Sequence, residues 1–412
     1  MFRNYLLTAW KVFMRRKLFT AINLLCIVLT LVVLMVVTAL LENTFYPSGV
    51  EGRSDRYVQM VMFRSSHTDK PGRRSGTLGY KVVDQYLKPL RHAEVVSASG
   101  LPLTVSVYQT DRVSRLLMRH TDAEYWQILD FQLLQGRLYN KDDVAQGRPV
   151  AVLNQSTARK LFPGQPYLGQ KFSAIGQDFT VIGVVRDELQ VNAYADIWVP
   201  VTSQPSSDYR NQMFGAYSAI MMARSPAELP ALQREIIDAA KRVQYDDPGR
   251  FNRTQFWGDS KLALFARTLL SSEADDGGAP TLLSIIITLM LLFMTLPALN
   301  LINLNMGRIM ERSSEIGVRK AFGATSRQLV TQLILENVLL CLIGGAIGLV
   351  CASGVLWWME SWSVLPYLQV HLNLAIFGYG LLITLVFGVL SGVIPAWKMS
   401  RMAPVHALKG SA

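Results

Sequence analysis

Four stretches of the chain carry no charged side chain over lengths that suit a bilayer: Leu18 to Leu41, Thr281 to Gly307, Asn337 to Met359 and Leu372 to Trp397. Each exceeds the roughly 20 residues that cross a hydrocarbon core of about 30 Å. Four such runs are foreign to soluble proteins, whose cores rarely need an uncharged helix of that length. Arg15, Arg16 and Lys17 precede the first run in the order of a cleaved leader, but the run is long and no small-residue cleavage site follows it. The pattern predicts an α-helical membrane protein with four transmembrane helices, at 18–41, 281–303, 329–358 and 374–396.

Residues 42–279 follow a different rhythm, expected of an α+β extracytoplasmic domain. Tyr57 to Phe63 reads as a strand, and Tyr80 to Leu90 places Val82, Val83, Tyr86, Leu87 and Leu90 at helical spacing. A strand and a helix recur at Ser218 to Ala223 and Ala227 to Val243. Between these pairs, Phe179 to Val185 reads as a buried strand and Ile197 to Pro200 as a short edge. The simplest arrangement is two subdomains, one inserted into the other. Residues 203–212 and 271–280 are polar and rich in Ser, Asp, Gly and Pro, as loops are. Glu273, Asp275 and Asp276 lack the ligand spacing of a calcium loop.

Charge orients these elements. Half of the residues are hydrophobic, yet the chain carries a net +11. Basic residues gather at 1–17 (Arg3, Lys11, Arg15, Arg16, Lys17), 304–328 (Arg308, Arg312, Arg319, Lys320, Arg327) and 397–412 (Lys398, Arg401, Lys409). Only Glu311 and Glu315 oppose them, so these three segments account for the whole +11. The positive-inside rule makes all three cytoplasmic, with both termini inside, residues 359–373 a short outer loop, and 42–279 outside. The basic bias therefore reports topology and attraction to anionic headgroups of the lipid bilayer, and no nucleic-acid partner. Cys26, Cys341 and Cys351 all fall in the apolar runs, so the outer domain must hold together without disulfides.

Candidate chemistry is concentrated in the loop at 304–328. Within Glu311 to Leu329, Ser313 and Ser314 can cap a short helix carrying Glu315, Ile316, Arg319 and Lys320, and Gly323 can end it. Its apolar and charged residues alternate in helical register, which suits docking into a groove on another protein. Gly344 and Gly348, and Gly388 and Gly392, have the spacing that lets membrane helices approach closely, within the chain or between two copies. Pro297 can kink the second helix. Glu336 lies near the inner end of the third, where an ionisable group is costly and usually paired. His67, His92, His120, His371 and His406 are scattered without a metal-binding pattern. Gly164 to Lys171 (GQPYLGQK) puts Gln170 where a phosphate-binding loop has its Lys, and lacks a following Ser or Thr.

Several of these motifs resemble one family. The pattern at Glu315, Gly317, Lys320, Ala321, Gly323 and Ala324 is similar to the signature of FtsX/MacB-type ABC transporter permeases. So are the ending PAWKMSRMAPVHALK from Pro395 to Lys409 and the first-helix approach at Tyr5 to Asn23, with Ala9, Arg15, Arg16, Lys17 and Asn23. Asn154 to Val185 (NQSTARKLF, PYLGQKF, FTVIGVV) resembles the MacB-like periplasmic core domain.

The resemblance implies a permease without catalysis of its own, working as a dimer with a second copy or a paralogue. It makes Glu311, Ser314, Glu315, Ile316, Gly317, Arg319, Lys320, Ala321, Gly323 and Ala324 a coupling helix against a separate ABC ATPase subunit. ATP and Mg are then expected on that partner, with no cofactor or metal on this chain. A membrane-fusion protein is a further partner of the family. Export of a hydrophobic or amphipathic substrate (an antibiotic, peptide or lipoprotein) is the first expectation, given the size of the outer domain. The alternative is a transducer of the FtsX kind that activates a cell-wall hydrolase or other outer partner.

Overall fold

The computed structural model describes residues 13–14, 17–47, 49–109, 112–188, 190–311 and 326–362, and, further on, 374, 377–382, 384–386, 389–390 and 393. The chain divides into one compact unit at Phe45–Leu282 and a second made of Met1–Thr44 with Leu283–Ala412.

Helix α1 (Lys17–Phe45) is the first uncharged run, continued past Leu41. A 3-10 turn at Gly49–Glu51 leads into β1 (Tyr57–Met60), β2 (Met62–Ser66) and β3 (Arg73–Thr77). A short helix α2 (Tyr80–Val82) widens into a π turn at Val83–Leu87, before β4 (Ala93–Gly100). Then come β5 (Leu103–Gln109), β6 (Arg112–Thr121), α3 (Tyr125–Ile128), β7 (Leu133–Gly136), α4 (Lys141–Ala145), β8 (Val150–Asn154) and α5 (Gln155–Leu161). After β9 (Lys171–Ala174), β10 (Gln177–Val185) and β11 (Ile197–Pro200), the chain returns through β12 (Tyr217–Ala223), α6 (Leu229–Ala240), β13 (Arg253–Gln255) and α7 (Lys261–Leu270).

Six strands close on themselves in the order β6-β11-β8-β10-β9-β5, with β5 paired back to β6. Closure leaves this barrel without free edges, and its interior is filled by Val107, Met118, Ala151, Leu153, Phe172, Phe179, Val181 and Ile197. Antiparallel β9 and β10 meet at Ile175 and Gly176, both at positive φ (46° and 80°). That is the geometry a two-residue hairpin loop requires, and an isoleucine there is unusual.

Beyond β6 the sheet continues through β4 and β12 to β1. Alternation along β12 sends Ala219 and Met221 to one face, against Leu232 and Ile236 of α6 and Val82 and Leu87 beside α2. It sends Ile220 and Met222 to the other face, where Tyr57, Tyr125, Tyr139 and Trp198 gather. A separate three-stranded sheet runs β13-β2-β3.

Three expectations need correction. Tyr57 to Phe63 is not one strand: it breaks at Val61, because β1 pairs with β12 while β2 pairs with β3 and β13 in the other sheet. Ile197 to Pro200 is no edge; β11 lies between β6 and β8, and all four of its residues are buried. The helix expected to run to Leu90 ends in the π turn at Leu87, where Lys88 N–H bonds back to the Val83 carbonyl.

In the other unit, α8 (Ala279–Glu311) and α9 (Ser326–Ser361) join α1. Thr20–Phe45 and Ile334–Ser361 are each long and apolar enough to cross a bilayer; Ala279–Phe293 and Phe377–Val386 are shorter apolar helical stretches. Leu283, Ile287, Leu289, Leu292 and Phe293 of α8 are all exposed, as are Val350, Trp357, Trp358 and Trp362 of α9 and its end. Apolar outward faces of this kind are the pattern of helices that meet an apolar environment, and tryptophans cluster at one end of α9.

Candidate functional site

Glu311 is the last residue of α8. Residues 312–325 lie outside the described residues, and with them Ser314, Glu315, Ile316, Gly317, Arg319, Lys320, Ala321, Gly323 and Ala324 of the expected coupling helix. Gly388 and Gly392 lie outside them too.

Gly344 and Gly348 are placed. A Cβ built on Gly344 would stand 2.6 Å from Cγ2 of Ile27, and one on Gly348 3.2 Å from Cβ of Leu31. The glycine face of α9 is thus pressed onto α1 of the same chain, sealed by Leu340 and Cys341. The two contacts advance by one turn on both helices, so α1 and α9 run in the same direction. Asn23 of α1 and Glu336 and Asn337 of α9 are buried polar residues.

In the large unit, the described polar chemistry collects where the chain leaves α1 and approaches α8. Glu51, with 2% of its side chain exposed, meets Lys261 Nζ at 2.7 Å, and Lys261 itself is only 11% exposed. The same carboxylate accepts from the backbone N–H of Asn192 at 3.1 Å, while the Gln190 side-chain oxygen accepts from Glu51 N–H at 2.9 Å. The Asn192 carbonyl in turn accepts from Arg119 Nη1 and the Tyr125 hydroxyl, both at 2.7 Å. One buried carboxylate therefore joins the segment after α1, the loop before β11 and the start of α7. Burying this charge is tolerable because an ammonium and a peptide donor face it.

A second pair fixes α7. The Arg267 guanidinium donates to both oxygens of Asp259, at 2.6 and 2.9 Å, and lies 4.4 Å from the Trp257 ring centroid. Ser260 caps the helix by accepting from Ala263 N–H at 3.2 Å. Glu273, in the loop that follows, pairs with Arg64 and Arg73, so it serves an ion-pair network rather than a metal.

Where β4 meets β6, Asp122 is buried and accepts from Ser97 Oγ at 2.7 Å and Ala98 N–H at 2.8 Å, with Lys88 Nζ at 3.7 Å. Burial pushes its carboxyl up to about 6 in spite of the lysine. Burial also holds the neighbouring His120 ring down at about 4, so it stays neutral. These groups bind and brace; among the described residues no three His, Cys, Asp or Glu side chains could hold a metal ion. Sequence reading missed the Glu51–Lys261 and Asp259–Arg267 pairs and α7 itself. The only local signal was Ser260 ahead of an apolar run.

The MacB-like periplasmic core domain model matches residues 20–239, and the FtsX-like permease C-terminal model matches residues 287–404. The chain is 25% identical over 339 residues to the macrolide export ATP-binding/permease protein MacB of Burkholderia pseudomallei (strain 1710b), covering 76% of this chain and 48% of that protein. It is 25% identical over 291 residues to the uncharacterized ABC transporter permease YknZ of Bacillus subtilis (strain 168), covering 69% and 68%. The chain thus spans about half the length of the Burkholderia MacB it matches. The solved periplasmic region of MacB from Actinobacillus actinomycetemcomitans is 17% identical, with a TM-score of 0.37 over 55% of this chain and 97% of that one. The extracellular domain of the noncanonic ABC-type transporter YknZ gives 18% and 0.36, over 48% and 98%.

Proposed function

The chain belongs to the family of FtsX-like permeases with a MacB-like periplasmic core domain, and from that premise we propose that it is the permease subunit of an ABC transporter driven by an ATPase on a partner polypeptide. Four helices cross the inner membrane, at 18–41, 281–303, 329–358 and 374–396, with both termini and the loop 304–328 in the cytoplasm and the large unit outside. The surplus of positive charge at 1–17, 304–328 and 397–412 supports this orientation, as does the shared direction of α1 and α9, which a single crossing by α8 between them requires.

The observation that carries the reading is the double match. A core-domain model matches residues 20–239 and a permease model matches residues 287–404, the second taking in the basic loop whose residues have the coupling pattern. Glu315, Arg319 and Lys320 engage the ATPase, where ATP and Mg are bound, and closure of the ATPases moves the helices and with them the outer unit. Two permeases act together, with a membrane-fusion protein receiving the cargo. The cargo is a hydrophobic or amphipathic compound taken outward, in line with the export named for the MacB relatives.

The test is co-purification. Charge reversal at both sites, Glu315→Arg with Arg319→Glu, abolishes capture of the ATPase by a tagged chain while leaving the chain in the membrane. Undiminished capture would refute the coupling assignment. Stimulation of ATP hydrolysis by a transported compound, measured on the reconstituted complex, tests the export half; stimulation only by an outer cell-wall enzyme would overturn it.

A further inference from the structure

Helix α7 is inside out for a helix bathed in water. Its two cations face inward: Lys261 is paired with Glu51 and Arg267 with Asp259, and each side chain is 11% exposed. Ala263 and Ala266 fill the remaining contact with the unit. The outward face is Phe265 (49% exposed), Leu269 (60%) and Leu270 (37%), with Thr268 and no charge. Phe265 and Leu269 lie four apart, one above the other on the helix surface. A water-facing helix orders its residues the other way, and an apolar face of this kind marks a surface built for contact.

Its place in the chain says what covers it. Phe45, the last residue of α1, packs on Phe265 with ring centroids 5.4 Å apart, and the exposed Tyr46 follows directly. At the other side, Ser271 ends α7 in the left-handed conformation, and the chain folds back so that Gly277 lies against Ala263. A Cβ on Gly277 would stand 2.6 Å from the Ala263 carbonyl oxygen, so only glycine fits at its φ of +69°. Two residues later α8 begins. Helix α7 thus packs against Phe45, where α1 ends, and against the Gly277–Gly278 turn that leads into α8.

We propose that α7 lies in the plane of the outer membrane–water interface, with Phe265 and Leu269 sunk among lipid headgroups and upper acyl chains. This rests on the reading that α1 and α8 cross the bilayer. Interfacial helices bury their apolar face about 5–10 Å into the boundary and keep their polar face in water. Here the polar face is taken up by the protein, so α7 is a float rigidly bolted to the outer unit by two buried ion pairs. Every displacement of that unit away from the bilayer must then draw Phe265 and Leu269 out of lipid.

The experiment uses the full chain in nanodiscs of phosphatidylcholine and phosphatidylglycerol. A photo-reactive p-benzoyl-phenylalanine is placed singly at position 265, 269, 350 or 168. Val350 is an outward residue of α9 and reports the spanning reading; Leu168, exposed in the loop before β9, serves as the negative reference. Expected are lipid adducts, read by mass spectrometry, at 265 and 269 in the range seen at 350 and absent at 168. Adducts at 350 with none at 265 or 269 overturn the proposal while the spanning reading stands. No adduct at 350 overturns the spanning reading and the proposal together. Chain-to-chain adducts at 265 and 269 in place of lipid overturn it in favour of a second copy. Position 269 keeps the test valid if the change at 265 disturbs packing on Phe45.

Discussion

Replacing Glu51 by alanine strands two groups at once: the Lys261 ammonium at 2.7 Å and the Asn192 N–H at 3.1 Å, both in a nearly dry setting. Removing one partner of a buried ion pair costs about 3–5 kcal/mol, because the surviving charge stays desolvated and uncompensated. For a unit of this size each kcal/mol moves the midpoint by about 2–4 °C, so Glu51→Ala should melt about 6–20 °C lower. Lys261→Met should cost a similar amount, since it leaves the carboxylate with the peptide donor alone. The double variant Glu51→Ala with Lys261→Met removes both charges and should recover part of the loss, as buried pairs replaced by apolar groups often do. Thermal unfolding of the purified full chain, followed by near-ultraviolet circular dichroism of its buried aromatic cluster, supplies all four midpoints of the cycle. The reasoning is refuted if the two single losses simply add in the double variant, within about 0.5 kcal/mol.

Two further outcomes are expected. His120 is neutral in the fold, its ring held down at about 4 against the usual 6.5; its contribution is complete above pH 6.5 and is lost as pH falls through 4, amounting to about 2.5 kcal/mol by pH 4.5. Asp122, pushed up to about 6, works the other way: its contribution is complete below pH 3.8 and is lost as pH rises through 6. Melting His120→Gln at pH 7.5 and 4.5 should therefore show a smaller acid loss than the parent chain, and an equal loss would contradict the assignment. Gly344→Leu should wedge α9 off α1, at the ~1–3 kcal/mol typical of overpacking, and lower the melting temperature in detergent. Gly354→Leu, where an added Cβ meets nothing within 4 Å, is the control and should leave it unchanged.

What could be read in the sequence was what depends on neighbours along the chain. The uncharged runs announced α1, α8 and α9, because a long stretch without charge is legible from neighbouring residues alone. Phe179 to Val185 announced β10 for a similar reason, being hidden on both faces inside the unit. The break at Val61 was illegible because YVQMVMF is uniformly strand-forming, and only the distant partners β12 and β3 divide it. Ile197 to Pro200 misled because a short run ending in proline resembles an edge; Pro200 sits at the last position of β11, where a missing N–H does no harm. Glu51 and Lys261 stand 210 residues apart, so no local pattern could pair them. Helix α7 went unread because Lys261 and Arg267 interrupt its apolar residues, and only the fold shows that both turn inward onto acidic partners.

Strand β6 belongs to two structures at once. Its first part closes the barrel against β5, its last residues carry β11 on one side and Ser99 of β4 on the other, and Arg119 within it grips the loop that Glu51 also holds. A shared spar of this kind denies the two halves a hinge, since bending them apart would unzip the ladder and tear open the aromatic cluster around Trp198.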